Sequence, residues 1–370
     1  MLTFLKRGTQ ILVGLIFLVW SITFIAVKFE KHQYTKITAD QRAQASDYLL
    51  GKVTPAPDML VYRSFDPEPG VALRTATLDA INAKGTIVFV PGFTGTIEMS
   101  MKTIRHLNKA GFRVAAIEYR GQGKSYRPIS NPEKGYVEDY AILASDLAKF
   151  ARHVKRDDEP LFFFSISKGA HITMRMAADQ GVDVSAFALV VPMIQINTGD
   201  TSYPLVKNMA HILNAIGLGS MYAPGSSQWP PEPLIFGEAN GCNSNPETAQ
   251  LQSAMFALDE TLRTRGATVK WLKETSDSTD KLLSPGFMDA LTQPVKIFTA
   301  GDDRLVRTDV ATEFCASLAN CEVTHFAEAR HCINRESQQR MNDIVRQTLV
   351  HYEKALLVPG SNGAFPVIVD

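Results

Sequence analysis

Residues Leu161–Ala177 read LFFFSISKGAHITMRMA. Four consecutive large apolar residues open the stretch, as in a strand buried on both faces of a parallel sheet. Small residues follow at Ser165, Ser167 and Gly169, and the remainder looks helical. A strand that breaks sharply into a helix at a serine is the context of a nucleophile elbow. Such a turn lifts Ser167 clear of the sheet, and small residues two before and two after it let the backbone pass closely. The helix start then aims free N–H groups at negative charge developing beside the serine. Gly169 fits the later small position. Ser165 stands where the pattern G-x-S-x-G has its first glycine. The competing reading of Ser167 is a plain helix N-cap, a role serine performs well.

Outward from this stretch the chain alternates strands and helices. Strands are expected at 59–65, 71–78, 86–90, 113–118, 161–165, 187–191, 295–299 and 322–326, eight in all. Helices are expected at about 98–110, 137–155, 168–180, 308–319 and 336–356. Such alternation predicts an α/β fold, a mostly parallel sheet with helices on both faces. Residues 71–78 alternate in polarity and suit an antiparallel edge pair, whereas TIVFV (86–90) is apolar throughout. Residues 193–290 break the rhythm with helical pieces and turn-rich segments, APGSSQWPPEP (223–233) and GCNSNPE (241–247). The expected organisation is an N-terminal anchor over 1–33, a core over 34–192 and 291–357, an inserted cap over 193–290, and a C-terminal extension over 358–370.

A serine hydroxyl becomes a useful nucleophile when a histidine takes its proton and a carboxylate orients that histidine. On an elbow of this kind the chain order is serine, acid, histidine. VKIFTAGDDRLV (295–306) is a strand ending in a Gly-Asp-Asp turn, and EVTHFAEARHCINRE (322–336) is a strand, a short loop and then His331. Both fall after strands, where parallel sheets present function. Asp303 is the expected acid, since the apolar pair Leu305-Val306 packs it at the strand end; Asp302 would cap the loop. His331 is the expected base, and His325, inside the strand, is expected to pack there. The loop VPGFTGT (90–96) offers the Phe93 N–H as one oxyanion donor, and the Lys168 N–H, just after the serine, offers the other. The Lys168 side chain is read as a solvated surface lysine.

The first thirty residues are of another kind. Ile11–Val27 (ILVGLIFLVWSITFIAV) carries no charge, follows Lys6 and Arg7, and precedes Lys28. As a helix it would cover about 26 Å, close to the apolar thickness of a bilayer. It lacks an A-x-A-like cleavage site, so an uncleaved signal anchor is expected, crossing a membrane once, as in a bacterial inner membrane. Basic residues flank both ends, and the side on which the main domain lies stays open. Lys and Arg total 38, as do Asp and Glu, so net charge gives no reason to expect a nucleic-acid partner. The four cysteines, Cys242, Cys315, Cys321 and Cys332, form no C-x-x-C pair and suggest no metal site. Cys315 and Cys321 suit a bridge in an oxidising compartment, and four separate thiols are the alternative.

PGFTGT (91–96), EYRGQGKS (118–125), SISKG (165–169), GDDRLV (301–306) and ARHCINRE (329–336) together resemble the lysophospholipase and monoacylglycerol lipase branch of the α/β-hydrolases. That branch is grouped with the serine aminopeptidase-like hydrolases, and the resemblance spans about 59–356. EYRGQGKS is similar to the family's D-x-R-G-H-G-x-S, with Gln122 in place of histidine. The family's H-G at the oxyanion loop is Pro91-Gly92 here, and its H-E-x-x-x-E is His331-Cys332 with Glu336. The resemblance implies an α/β-hydrolase fold and a serine esterase needing no metal or organic cofactor, acting on a single acyl chain such as a lysophospholipid or monoacylglycerol. Cap residues Phe236, Met255, Phe256, Trp271 and Leu272 could line an acyl channel or simply form cap core. A peptidase or small-ester hydrolase, with Glu260, Asp277 or Asp280 receiving a peptide amine, is one alternative. A binding scaffold of low turnover is another.

Overall fold

A computed structural model describes residues 18–26, 30, 32, 34–157, 159–229 and 240–357. Eight strands, β1 (Leu60–Glu68), β2 (Val71–Leu78), β3 (Thr86–Val90), β4 (Arg113–Ile117), β5 (Leu161–Ile166), β6 (Ala186–Val190), β7 (Val295–Ala300) and β8 (Cys321–Phe326), form one sheet. Their order is β1-β2-β4-β3-β5-β6-β7-β8. The β1–β2 and β2–β4 pairs are antiparallel, and every other pair is parallel.

The apolar runs explain the layering. Along β3 and β5 successive side chains enter opposite faces, as strand geometry requires. Val88, Val90 and Phe163 join one core cluster, with Tyr140–Val154 and Lys168–Gln180 packed on that face. Ile87, Phe89, Phe162 and Phe164 join the other, beneath Ile97–Lys109 and Gln338–Leu357. All three β5 phenylalanines are fully buried, each worth about 1.5–3 kcal/mol of transfer free energy. Tyr352 pins the second layer by donating to the Phe163 carbonyl at 2.7 Å. The loops after β3, β5, β7 and β8 therefore emerge at the carboxyl edge of one parallel sheet.

Between β6 and β7 the described residues form helices at Tyr203–Ala215, Pro246–Ala249, Leu251–Leu258 and Val269–Leu282, a short 3-10 turn at Glu260–Leu262, and no strand. The early helix Ala39–Leu49 packs on this insertion, where Ala45 joins Trp229, Ala254, Phe256 and Leu262. Thr38 caps it with a capping box closed by Gln41.

Residues 18–26 are helical and lie against the end of Tyr203–Ala215, where the Trp20 indole donates to the Ile216 carbonyl at 3.0 Å. Residues 11–17 and 27 of the expected span lie outside the described residues, as does the extension at 358–370. Among the described residues no helix is long and apolar enough to cross a membrane.

The cysteines are paired. Cys315–Cys321 and Cys242–Cys332 are disulfides with Cα atoms 5.3 and 5.1 Å apart, inside the range a bridge needs. Four separate thiols are thus replaced by two bridges, and the second one spans 90 residues.

Candidate active site

Ser167 sits between the end of β5 and the helix Lys168–Gln180 with φ 50° and ψ −115°. This is a left-handed conformation costing about 1–3 kcal/mol for a residue with a side chain. Hydrogen bonds hold it: the Ser167 N–H donates to the Val190 carbonyl at 2.9 Å, and the Ser167 carbonyl accepts from His171 and Met193. Gly169 is required here, because a Cβ would lie 2.5 Å from the Pro91 carbonyl oxygen and 2.6 Å from that of Val90. Ser165 is accommodated without a glycine. Its hydroxyl meets Thr173 Oγ1 at 2.7 Å, and Thr173 donates to the Gly169 carbonyl. Ser167 makes no side-chain cap to its own helix, so the N-cap reading does not describe it.

The hydroxyl is engaged elsewhere. Ser167 Oγ lies 2.9 Å from His331 Nε2, and His331 Nδ1 lies 2.7 Å from Asp303 Oδ2. A carboxylate can only accept, so Nδ1 carries the proton and Nε2 is left to accept from the serine. Asp303 is fixed by the Leu305 and Val306 N–H groups, which donate to Oδ1 at 2.9 and 3.0 Å. Asp302 points away and pairs with Arg304 and Arg330. His325 is exposed on the edge strand β8, bonded to Thr299 at 3.0 Å, rather than packed inside. An edge strand has one open side, which the strand reading alone did not reveal.

Neither the Phe93 nor the Lys168 backbone N–H has an acceptor among the described residues. The loop that carries Phe93 is clamped by Gln122. Its amide nitrogen donates to the carbonyls of Gly92 and Gly95 at 2.7 Å each, and its oxygen accepts from the Thr94 N–H at 2.9 Å. Thr94 has φ 62°, so three bonds and one strained residue set the course of this loop. Residue-type reading passed over Gln122; its place in EYRGQGKS was the available signal. The other members of that segment are also structural. Buried Glu118 accepts from the Ile97 and Lys124 N–H groups, and Arg120 pairs with Asp146.

The Lys168 side chain is buried, not solvated. Its Nζ lies 4.7, 5.5 and 5.8 Å from the ring centres of Tyr119, Phe93 and Tyr140. No carboxylate among the described residues pairs with it, and burial pulls its ammonium down to about 7. Among the described residues, the aromatic faces supply the attraction it receives.

Ser167 and His331 open on a cavity of about 440 Å³. Phe93, Met99, Ile166, Met193, Trp271 and Leu305 give it an apolar wall. Of the cap residues named for an acyl channel, Trp271 lines it. Met255 faces a neighbouring cleft, Phe256 lies in the cap cluster, Leu272 packs on the main core, and Phe236 lies outside the described residues. The Cys242–Cys332 bridge also lines the cavity and joins the insertion to the residue after His331. Glu336 reinforces this junction by accepting from the Arg330 N–H at 2.9 Å and the Ser244 hydroxyl at 2.9 Å.

Residues 81–338 match the family model described as serine aminopeptidase, S33. The chain belongs to that family. Lysophospholipase L2 of Escherichia coli strain K12 is 26% identical over 234 residues, 62% of this chain and 66% of that protein, just under two thirds of its length. The AB hydrolase superfamily protein YisY of Bacillus subtilis is 23% identical over 278 residues, 70% of this chain and 90% of its own. A soluble variant of the Saccharomyces cerevisiae monoglyceride lipase shares the fold at TM-score 0.63 and 17% identity, over 82% of this chain and 96% of that one. A thermostable carboxyl esterase from Bacillus coagulans does so at TM-score 0.61 and 16% identity, over 82% and 100%. This S33-family chain therefore has the α/β-hydrolase fold, with an eight-stranded, mostly parallel sheet.

Proposed function

We propose that this protein hydrolyses carboxylic esters of single-chain acyl lipids, lysophospholipids or monoacylglycerols, through an acyl-enzyme. The observation that carries the proposal is the hydrogen-bonded series Ser167–His331–Asp303 on a strained elbow beside an apolar cavity. Ser167 attacks the ester carbonyl as His331 takes its proton, and Asp303 stabilises the imidazolium. The Phe93 and Lys168 N–H groups receive the oxyanion. His331 returns the proton to the leaving alcohol, and water clears the acyl group by the same route. The lipid relatives and the apolar wall support the substrate class.

The peptidase alternative finds less support. Asp277 pairs with His211 and Lys273, Asp280 pairs with Lys207, and neither they nor Glu260 line the cavity. The low-turnover alternative rested on Ser165, which the Thr173 contact accommodates.

The chain is further proposed to be anchored in a membrane by residues 11–27. Supporting this, Leu205, Met209, Ile212 and Ile216 form one exposed apolar stripe beside helical residues 18–26, whose Leu18, Val19, Ile22 and Ile25 are exposed too. Two disulfides favour a catalytic domain on the oxidising side of that membrane.

The test uses the full chain in detergent with a monoacylglycerol, a lysophospholipid and a short activated ester. Ser167→Ala should lower kcat by about four to six orders of magnitude with the fold unchanged. A folded protein that cleaves none of the three, or a mutant as active as its parent, refutes the reading.

A further inference from the structure

Among the described residues that line the cavity, Arg335 alone bears a permanent charge. Its guanidinium touches the bridge beside it, with Nη2 2.7 Å from Cys332 Sγ and 3.9 Å from Cys242 Sγ. No carboxylate among the described residues pairs with it. The adjacent Glu336 is committed to the Arg330 N–H, to Ser244 and to Arg340. Burial pulls the guanidinium down to about 10, with no acid to offset it, so the group stays cationic at neutral pH. Arg335 is partly buried, and holding a partly desolvated cation without a counter-charge is costly, a cost that an anion delivered by a ligand offsets. The planar fork of a guanidinium suits a phosphate oxygen pair. Phe93, Met99, Ile166, Met193, Trp271 and Leu305 give the same space its apolar wall, with uncharged polar side chains such as Asn197 and Gln252 between, and Ser167 opens on it. One cavity thus combines a nucleophile, an apolar surface and a cation.

Building on the ester-hydrolase reading, we infer that Arg335 receives the phosphodiester of a lysophospholipid head group while the apolar wall holds the acyl chain. This makes Arg335 a specificity residue that favours a lysophospholipid over a monoacylglycerol. The sulfur contact positions the guanidinium without neutralising it.

The test measures binding in the full-length Ser167→Ala protein, so that turnover is not needed. The probes are lysophosphatidylglycerol and a monoacylglycerol of the same chain length, below their micelle concentrations. Adding Arg335→Gln should weaken the phospholipid about tenfold or more relative to the monoacylglycerol, and Arg335→Lys should restore part of that difference. Equal weakening of both lipids, or none, overturns the inference. If the Gln variant does not fold, salt is titrated with Arg335 intact. Phospholipid binding should then weaken more than monoacylglycerol binding, and parallel salt curves overturn the inference. Inorganic phosphate that displaces the phospholipid at equal concentration assigns Arg335 to free phosphate and overturns the head-group assignment. Failure of the esterase reading is seen separately, as absent hydrolysis of both lipids by the unsubstituted protein.

Discussion

Ser167 and His331 meet across 2.9 Å, and opposite kinds of bonding bring them there. The serine side is local. Its strand, its turn and its helix are consecutive, and the contacts that shape the turn come from the adjoining strands β3 and β6 and the loops after them. The histidine side is assembled from afar. Cys332 is bridged to Cys242, Arg330 donates to the Asn240 carbonyl at 2.7 Å, and Asn245 donates to the Glu336 carbonyl at 2.7 Å. Residues 240–245 thus belong mechanically to the histidine loop, although the chain places them in the insertion. A nucleophile can be positioned by one strand–turn–helix unit, whereas its base here depends on a second region of the chain.

That contrast can be broken at three points. The largest effect is expected from Cys242→Ser with Cys332→Ser. Opening a loop of 90 residues should cost about 4 kcal/mol of stability and slow turnover, because the histidine loop loses its tie. Cys315→Ser with Cys321→Ser, with a separation of 6, should cost about 2 kcal/mol and leave turnover intact. Denaturant unfolding and kcat on both pairs check this, and equal effects on turnover would erase the distinction.

Gln122→Ala comes next. Without its three bonds the 91–95 loop loses its clamp, so kcat should fall about 10–100-fold while KM changes little. Steady-state kinetics decide, and a change confined to KM would assign Gln122 to substrate binding.

The smallest effect is expected at Lys168. Its ammonium is disfavoured in the folded protein and ordinary in the unfolded chain, so its pKa is lower when folded. Between about 7 and the unfolded pKa of about 10.4 the unfolded chain binds the extra proton, so stability rises with pH across that window and the penalty is fully present below it. Lys168→Met should therefore stabilise the fold by on the order of 1 kcal/mol near pH 7, with the gain shrinking towards pH 10. Thermal unfolding across that window checks both the sign and the trend.

The same contrast explains what could be read from residues alone. LFFFSISKG announces a buried strand and a tight turn within nine positions, and GDDRLV marks a strand end, so the sheet was legible, as were the three side chains that the structure brings into hydrogen-bond contact. Local pattern does not say which distant segment touches a loop. The Cys242–Cys332 bridge, the tie from Ser244 to Glu336 and the Gln122 clamp were therefore missed. The Lys168 side chain was misread for a related reason. Lysine is almost always solvated, and its burial arises from three aromatic residues on different elements meeting around it. His325 was placed inside the sheet because periodicity does not say which strand forms the edge.

The most direct measurement is labelling of the full-length protein with a fluorophosphonate probe, followed by mass-spectrometric mapping of the modified residue. A serine activated by His331 and Asp303 should carry the phosphonyl group at Ser167, and His331→Ala should abolish the labelling with the fold intact. Modification at another residue, or labelling that survives His331→Ala at the original rate, would contradict the assignment of Ser167 as the nucleophile.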